Sequence, residues 1–379
     1  MSAFAIYRLP YDHACHLVLQ EKGAPEEFSS PHQLNGREGF VIAPFSANKH
    51  NPVLLLHVDR EMTFPSEMLG NPTEVYRTLL EQLNDQCHDL PKGIRLYDGK
   101  QMHYSIDFAN FHSHILDGEF SKIVLARCAR VQTSKIIAPL KLMEIACRRY
   151  PRMFVALVSA EKCGTWLMAT PEMLLEGDGK QWNTVSLAGT MALREDQMGF
   201  DNPPQADRTI LRHQDDDSIV WNLKDIQEQQ FVSTYITESL ESFTNDIEEF
   251  GPYTMRAGNL VHLRSDFHFT LPNTDKLGQL IAKLYPTPAV CGLPKDAARD
   301  FILRNEYAPR DYYSGFVGPV SPKADTHLYV SLRCMRIDSQ GYSLYAGGGL
   351  LADSEMTSEW KETEYKMQTM RCLFEEENV

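Results

Sequence analysis

Lys122 heads FSKIVLARCARV, residues 120–131, a segment that reads as a strand meant for burial. A lysine at a strand end ordinarily lays its stem on apolar surface and keeps its ammonium in water. Partly desolvated among Val124, Leu125 and neighbouring strands, the same ammonium would lose its proton more easily and serve as a base near neutral pH. Glu172, in ATPEMLLEG, follows a proline and precedes Met173, Leu174 and Leu175. It reads either as a turn residue opening a strand or as a carboxylic acid whose apolar neighbours disfavour ionisation. The local pattern leaves both pairs of readings open.

Two further acids stand on helical patterns. At about 100° per residue, Glu228 projects within ~40° of Trp221, Val232, Tyr235 and Ser239, the side a core would take. An acid there needs a cation, either Lys224 four residues earlier or one from elsewhere in the chain. Glu362 stands four residues before Lys366, the spacing of an ordinary helical ion pair worth ~0.3–0.5 kcal/mol. If Glu228 and Glu362 meet across two helices, their oxygens suit Mg2+, which keeps several waters and completes its shell with substrate oxygens.

The stretch LYAGGGLLA, residues 344–352, carries three consecutive glycines. It lacks the third glycine of a dinucleotide fingerprint and the surrounding βαβ unit, and no phosphate-binding P-loop motif occurs. Such glycines let a backbone N–H approach a ligand carboxylate, or let two chains pack closely. His262, in LVHLRS, has apolar strand neighbours, where a satisfied core histidine is the commoner outcome. Arg333 reads as mid-strand in YVSLRCMRI, and a buried arginine demands an anion, from the protein or from a substrate.

These residues sit in a chain of 379 with a net charge of −14, from 37 basic against 51 acidic side chains. That balance repels a nucleic-acid partner but leaves room for a local cationic pocket and favours a divalent metal. No apolar run reaches the ~18 residues of a membrane span, and MSAFAIYRLPYDH lacks the pattern of a secretory signal. A soluble, cytoplasmic monomer is expected. The eight cysteines are dispersed without ligand spacing and read as free thiols.

The elements that must position these groups are strands alternating with helices. KIVLARCARV, FVALVSA, TWLMATPEMLLEGDGKQWNTVSLAG, NLVHLRSDFHFTL, SGFVGPVS, HLYVSLRCMRI and YSLYAGGGLL read as strands. Helical spacing marks 137–149, 221–243, 274–285, 294–306 and the segment from Ser358 to Glu376. Residues 194–218, with Pro203, Pro204 and a run of three Asp, read as a surface excursion. In the first hundred residues only GREGFVIAPF, PVLLLHV and the helix TEVYRTLLEQLNDQ are legible. The order predicts an α+β fold with large antiparallel sheets packed together and helices outside.

Taken in order, SKIVLAR, TPEMLLE, VSLAGT, LKDIQEQQFV, NLVHL, LYPTPAVCGLPKDAARDFI, YYSGFVG, LYVSLRCM and LYAGGGLLADSEMTSEWKETEYKM resemble the chorismate-utilising enzymes. That family includes isochorismate, salicylate and aminodeoxychorismate synthases and anthranilate synthase component I. The match runs from about residue 115 to 375, so residues 1–110 form an N-terminal part continuous with a catalytic region at 111–379. The resemblance implies that Glu228 and Glu362 hold Mg2+ against the ring carboxylate of chorismate. It implies that Arg333, Tyr313 and the backbone from Gly347 to Gly349 receive the enolpyruvyl carboxylate, with Lys366 adding positive charge. His262 is implied to lie close to the ring, and Thr190 and Ala289 to line the substrate.

A lysine at position 122 resembles the members that add water, rather than ammonia, at C2. The implied chemistry is reversible, Mg2+-dependent conversion of chorismate to isochorismate, with Lys122 as base and protonated Glu172 as acid toward the C4 hydroxyl. A role in menaquinone biosynthesis is favoured over siderophore supply because no siderophore-specific feature appears. Salicylate formation with loss of pyruvate, and a non-catalytic chorismate-binding relative, remain as alternatives. The sequence departs from the family at Tyr285 and Gln229, where histidine is usual.

Overall fold

A computed structural model describes residues 2–89, 95–133, 137–193, 219–257 and 260–375. The excursion expected at 194–218 lies outside the described residues. Strands β1 (Ala3–Arg8), β2 (Ala14–Gln20), β3 (Glu26–Phe28), β4 (Gly39–Ala43), β5 (Val53–Leu56) and β6 (Arg60–Pro65) open the chain. Then come β7 (Lys122–Val131), β8 (Phe154–Ala160), β9 (Gly164–Thr170), β10 (Met173–Gly177), β11 (Gln181–Ala192), β12 (Ile247–Ala257) and β13 (Leu260–Thr270). The last are β14 (Gly292–Leu293), β15 (Phe316–Val320), β16 (Thr326–Val330), β17 (Cys334–Asp338) and β18 (Gly341–Leu350). The helices are α1 (Glu74–Asp85), α2 (Gln101–Leu116), α3 (Pro139–Arg149), α4 (Leu223–Leu240), α5 (Leu277–Leu284), α6 (Lys295–Asn305) and α7 (Met356–Glu375).

The strands form two nine-stranded sheets, ordered β14-β7-β18-β17-β9-β8-β1-β2-β6 and β12-β13-β11-β10-β16-β15-β4-β5-β3. Alternation along each strand assigns its two faces. In β1, Phe4 and Ile6 meet the helices α1, α3 and α7, whereas Ala5 and Tyr7 meet the other sheet through Phe40 and Ile42. Helices α4 and α5 cover the second sheet with Val232, Ile236, Leu277 and Leu280. Helices α2 and α6 close over β7, where Phe111 and Phe301 pack near Ile123 and Leu125. The fold is therefore α+β, two packed antiparallel sheets between helical layers. Among the described residues no helix is long and apolar enough to cross a membrane.

Strands from the first hundred residues are built into both sheets: β1 pairs with β8, and β4 with β15. Being buried on both faces, β1 and β2 have no polar alternation to announce them. HLYVSLRCMRI is not a single strand, because β16 ends at Val330 in the second sheet and β17 begins at Cys334 in the first. Arg333 is accordingly not mid-strand but in the passage between sheets.

Candidate active site

The chain crosses between the sheets twice at one place. From β9 to β10 it leaves the first sheet through Pro171 and Glu172, and from β16 to β17 it returns through Ser331, Leu332 and Arg333. The crossings are tied together: the Val330 N–H donates to the Glu172 carbonyl at 2.9 Å, and the Ala169 N–H donates to the Arg333 carbonyl at 3.1 Å. Arg333 takes φ +46°, a left-handed conformation that non-glycine residues adopt at a cost of about 1–2 kcal/mol. The paired crossings thus bring an acid and a guanidinium to the lining of one buried cavity, where each charge acts on the other.

Lys122 enters that space from the neighbouring edge. Even-numbered residues of β7 face the second sheet, so the side chain of Lys122 points inward and is 0% exposed. Its Nζ lies 2.8 Å from Glu228 Oε1. The cation that pairs with Glu228 thus comes from a distant strand, not from Lys224. Gly349 makes the pair possible, since a Cβ there would stand 2.3 Å from Glu228 Oε1 and 2.7 Å from Lys122 Cε. Burial opposes ionisation of Glu228, but the Lys122 ammonium outweighs it and holds the carboxyl below its usual range.

Glu172 is buried as well, and burial raises it to about 7 against the opposing pull of Lys122. The Thr287 hydroxyl donates to its Oε1 at 3.4 Å. Arg333 is held by His262, whose Nε2 lies 2.7 Å from Nη2, and by the Thr369 hydroxyl at 3.4 Å. Among the described residues no carboxylate pairs with it, and burial lowers it to about 10. A buried guanidinium without an anion is a receptor for one. Thr190, Ala289, Tyr313, Gly347, Gly349 and Lys366 border the same cavity as Glu172, Glu228, His262 and Arg333. Lys366 Nζ donates to the Gly347 carbonyl at 2.9 Å and pairs with Glu362 at 2.6 Å.

Outside the strand that carries the glycines, carboxylates gather. Lys224 pairs not with Glu228 but with Glu359 Oε1 at 2.5 Å, and Glu359, Glu362 and Glu228 all act on its ammonium. Glu359 Oε2 is buried with no hydrogen-bond partner among the described residues. Burial and then Glu362 raise Glu359 to about 7, and burial and then Glu228 raise Asp225 to about 6. Four carboxylates therefore face three lysines, with one hard oxygen orphaned. Among the described residues no group of three or more His, Cys, Asp or Glu side chains is placed to hold a metal ion by itself. Mg2+ asks for none, taking one or two carboxylates and finishing its shell with water and substrate, so the donor set fits it.

Every residue the sequence nominated is thus at or beside one cavity, with Glu362 on its outer side. Sequence reasoning missed Glu359, Asp225 and Thr287. Glu359 was within reach, three residues before Glu362 and so on the same helical face. Tyr285 lies in the core under the second sheet and hydrogen-bonds the Pro44 carbonyl at 2.6 Å, away from the cavity. Gln229 is buried with its amide donating to the Ser186 hydroxyl at 2.6 Å.

The sequence matches the family described as chorismate binding enzyme over residues 55–374. The chain belongs to that family. Isochorismate synthase MenF of Escherichia coli (strain K12) is 29% identical over 263 residues, 69% of this chain and 58% of MenF. Isochorismate synthase DhbC of Bacillus subtilis (strain 168) is 30% identical over 267 residues, 68% of this chain and 64% of DhbC. The matched region thus spans less than two thirds of either relative's length. This chorismate-binding enzyme shares its fold with the MenF structure from Escherichia coli, at TM-score 0.71 and 23% identity over 98% of this chain and 88% of that one. It also shares it with anthranilate synthase component I from Streptococcus pneumoniae, at TM-score 0.62 and 14% identity over 98% and 90%.

Proposed function

We propose that this chain is an isochorismate synthase, interconverting chorismate and isochorismate with Mg2+ as cofactor. The reading rests on one cavity lined by an enclosed carboxyl raised to about 7, Glu172, and a guanidinium, Arg333, with no carboxylate partner among the described residues, with the enclosed amine of Lys122 reaching that cavity's wall at Glu228. Arg333 and Lys366 receive carboxylate charge, with Tyr313 and the backbone at Gly347 beside them. Lys122 Nζ, having released its ammonium proton to solvent as substrate binds, takes a proton from water as its oxygen bonds to C2. The ring double bonds shift, the C4–O bond breaks, and Glu172 gives its proton to the departing oxygen, so one water enters and one leaves. Proton exchange with solvent resets the amine and the carboxyl. Glu228 and Glu362, with Glu359 beside them, would hold Mg2+, which supplies charge neutralisation for the ring carboxylate.

The relatives' names support isochorismate as product, and MenF, described as menaquinone-specific, is among them. We therefore place the product in menaquinone biosynthesis, in the cytoplasm. Chromatography of the products from chorismate, with and without Mg2+, tests the chemistry. Isochorismate formed only with the metal is expected; pyruvate release, followed with a lactate dehydrogenase couple, would instead make the chain a salicylate-forming lyase. A protein that binds chorismate and turns none over would reject the enzyme reading.

A further inference from the structure

His262 lines the cavity, and a histidine there invites the role of proton donor. Its two ring nitrogens contradict that. The guanidinium of Arg333 has only N–H donors, so Nε2, at 2.7 Å from Nη2, must present its lone pair. The Gly189 carbonyl can only accept, so Nδ1, at 2.9 Å, must carry the proton. Two independent neighbours therefore demand one and the same neutral tautomer. A second proton on the ring would set an N–H against the N–H groups of Arg333, with Lys366 adding like charge nearby. The side chain is buried, and the Thr190 hydroxyl, 3.3 Å from Nδ1, adds a second acceptor for the proton on that nitrogen.

We infer that His262 is a positioning residue, a permanently neutral acceptor that holds the Arg333 guanidinium in its left-handed passage between the sheets, aimed at a substrate carboxylate. It links two elements whose separate backbones could not fix that aim, since the Gly189 carbonyl belongs to β11 and Arg333 to the crossing before β17. The role deepens the isochorismate synthase reading and rests on it for the identity of the carboxylate.

The test compares His262→Leu, which removes the acceptor, with His262→Gln, which restores an oxygen near the place of Nε2. Losing a hydrogen bond to a charged group is expected to raise KM for chorismate about 10–100-fold in the leucine variant, while kcat changes less than about threefold. The glutamine variant should recover most of the loss, and the pH profile of kcat should keep its shape in both. In the wild-type protein, 15N NMR of labelled histidine should show this ring neutral and protonated at Nδ1 throughout pH 6–8.5. A ring that titrates in that range, or a collapse of kcat at unchanged KM in both variants, would overturn the inference. Wild-type protein that fails to bind chorismate would overturn the functional reading instead, and the NMR signature would still decide the tautomer.

Discussion

Replacing Gly349 by alanine separates the site's chemistry from the fold's stability. The added Cβ would stand 2.3 Å from Glu228 Oε1 and 2.7 Å from Lys122 Cε, where ordinary contact begins near 3.4 Å. The backbone conformation there is one alanine tolerates, since Gly349 is not among the residues with positive φ. The strain therefore falls on the two side chains, and their mutual ion pair, buried where β7 meets α4, keeps either from swinging into water. Both must retreat by close to 1 Å, a misplacement that costs roughly 100-fold in rate, about 2.7 kcal/mol of transition-state stabilisation. The assay is chromatographic turnover of chorismate beside a thermal melt, with kcat expected to fall about 100-fold and the melting temperature to move only a few degrees. Gly348→Ala is the graded control, because its Cβ would meet Glu359 Oε2 at 3.0 Å and should do less harm. If Gly349→Ala keeps kcat within about threefold of wild type, the Lys122–Glu228 arrangement is not what drives turnover.

Lys122→Ala should abolish measurable turnover while calorimetry still detects Mg2+-dependent chorismate binding; near-normal activity would remove Lys122 as the base. Because burial raises Glu172 to about 7, the acid is increasingly lost above that pH, so kcat should fall on an alkaline limb with an inflection near 7 that Glu172→Gln, itself nearly inactive, cannot show. The same shift affects stability: the folded state holds the proton more tightly than the unfolded one, so this contribution is present below about 4.5 and declines by roughly 3 kcal/mol as pH rises to 7. Denaturant titrations at pH 5 and 8 should show a smaller drop in Glu172→Gln than in wild type. Glu359→Gln should raise the Mg2+ concentration for half-maximal activity about 10–100-fold, and an unchanged requirement would take Glu359 out of the metal's surroundings.

Much of the site could be read from the chain because its residues violate the patterns around them. A lysine leading an apolar strand, a glutamate between proline and three apolar residues, and three successive glycines each break a local rule. Glu359 and Thr287 break none, being an acid on an ordinary amphipathic helix and a threonine in a loop, and so escaped notice. The helix at Gln101–Leu116 and strands β1 and β2 escaped for a different reason: the helix buries Tyr104, Phe108, Phe111 and Ile115 at helical spacing but exposes Met102, Ile106 and Leu116, which blurs the pattern, and the two strands are covered on both faces.

By itself the sequence determined the fold class, the helices that carry Glu228 and Glu362, and the residue types needed for acid, base and oxygen ligation, because these follow from local periodicity and side-chain chemistry. Only the tertiary structure decided which charge meets which. Lys122 answers Glu228, Lys224 answers Glu359, and Arg333 is left for an anion, because these contacts join residues 71–135 positions apart. Two sheet crossings bring Glu172 and Arg333 together, a juxtaposition made by backbone pairing between strands that nothing in either segment's own pattern specifies.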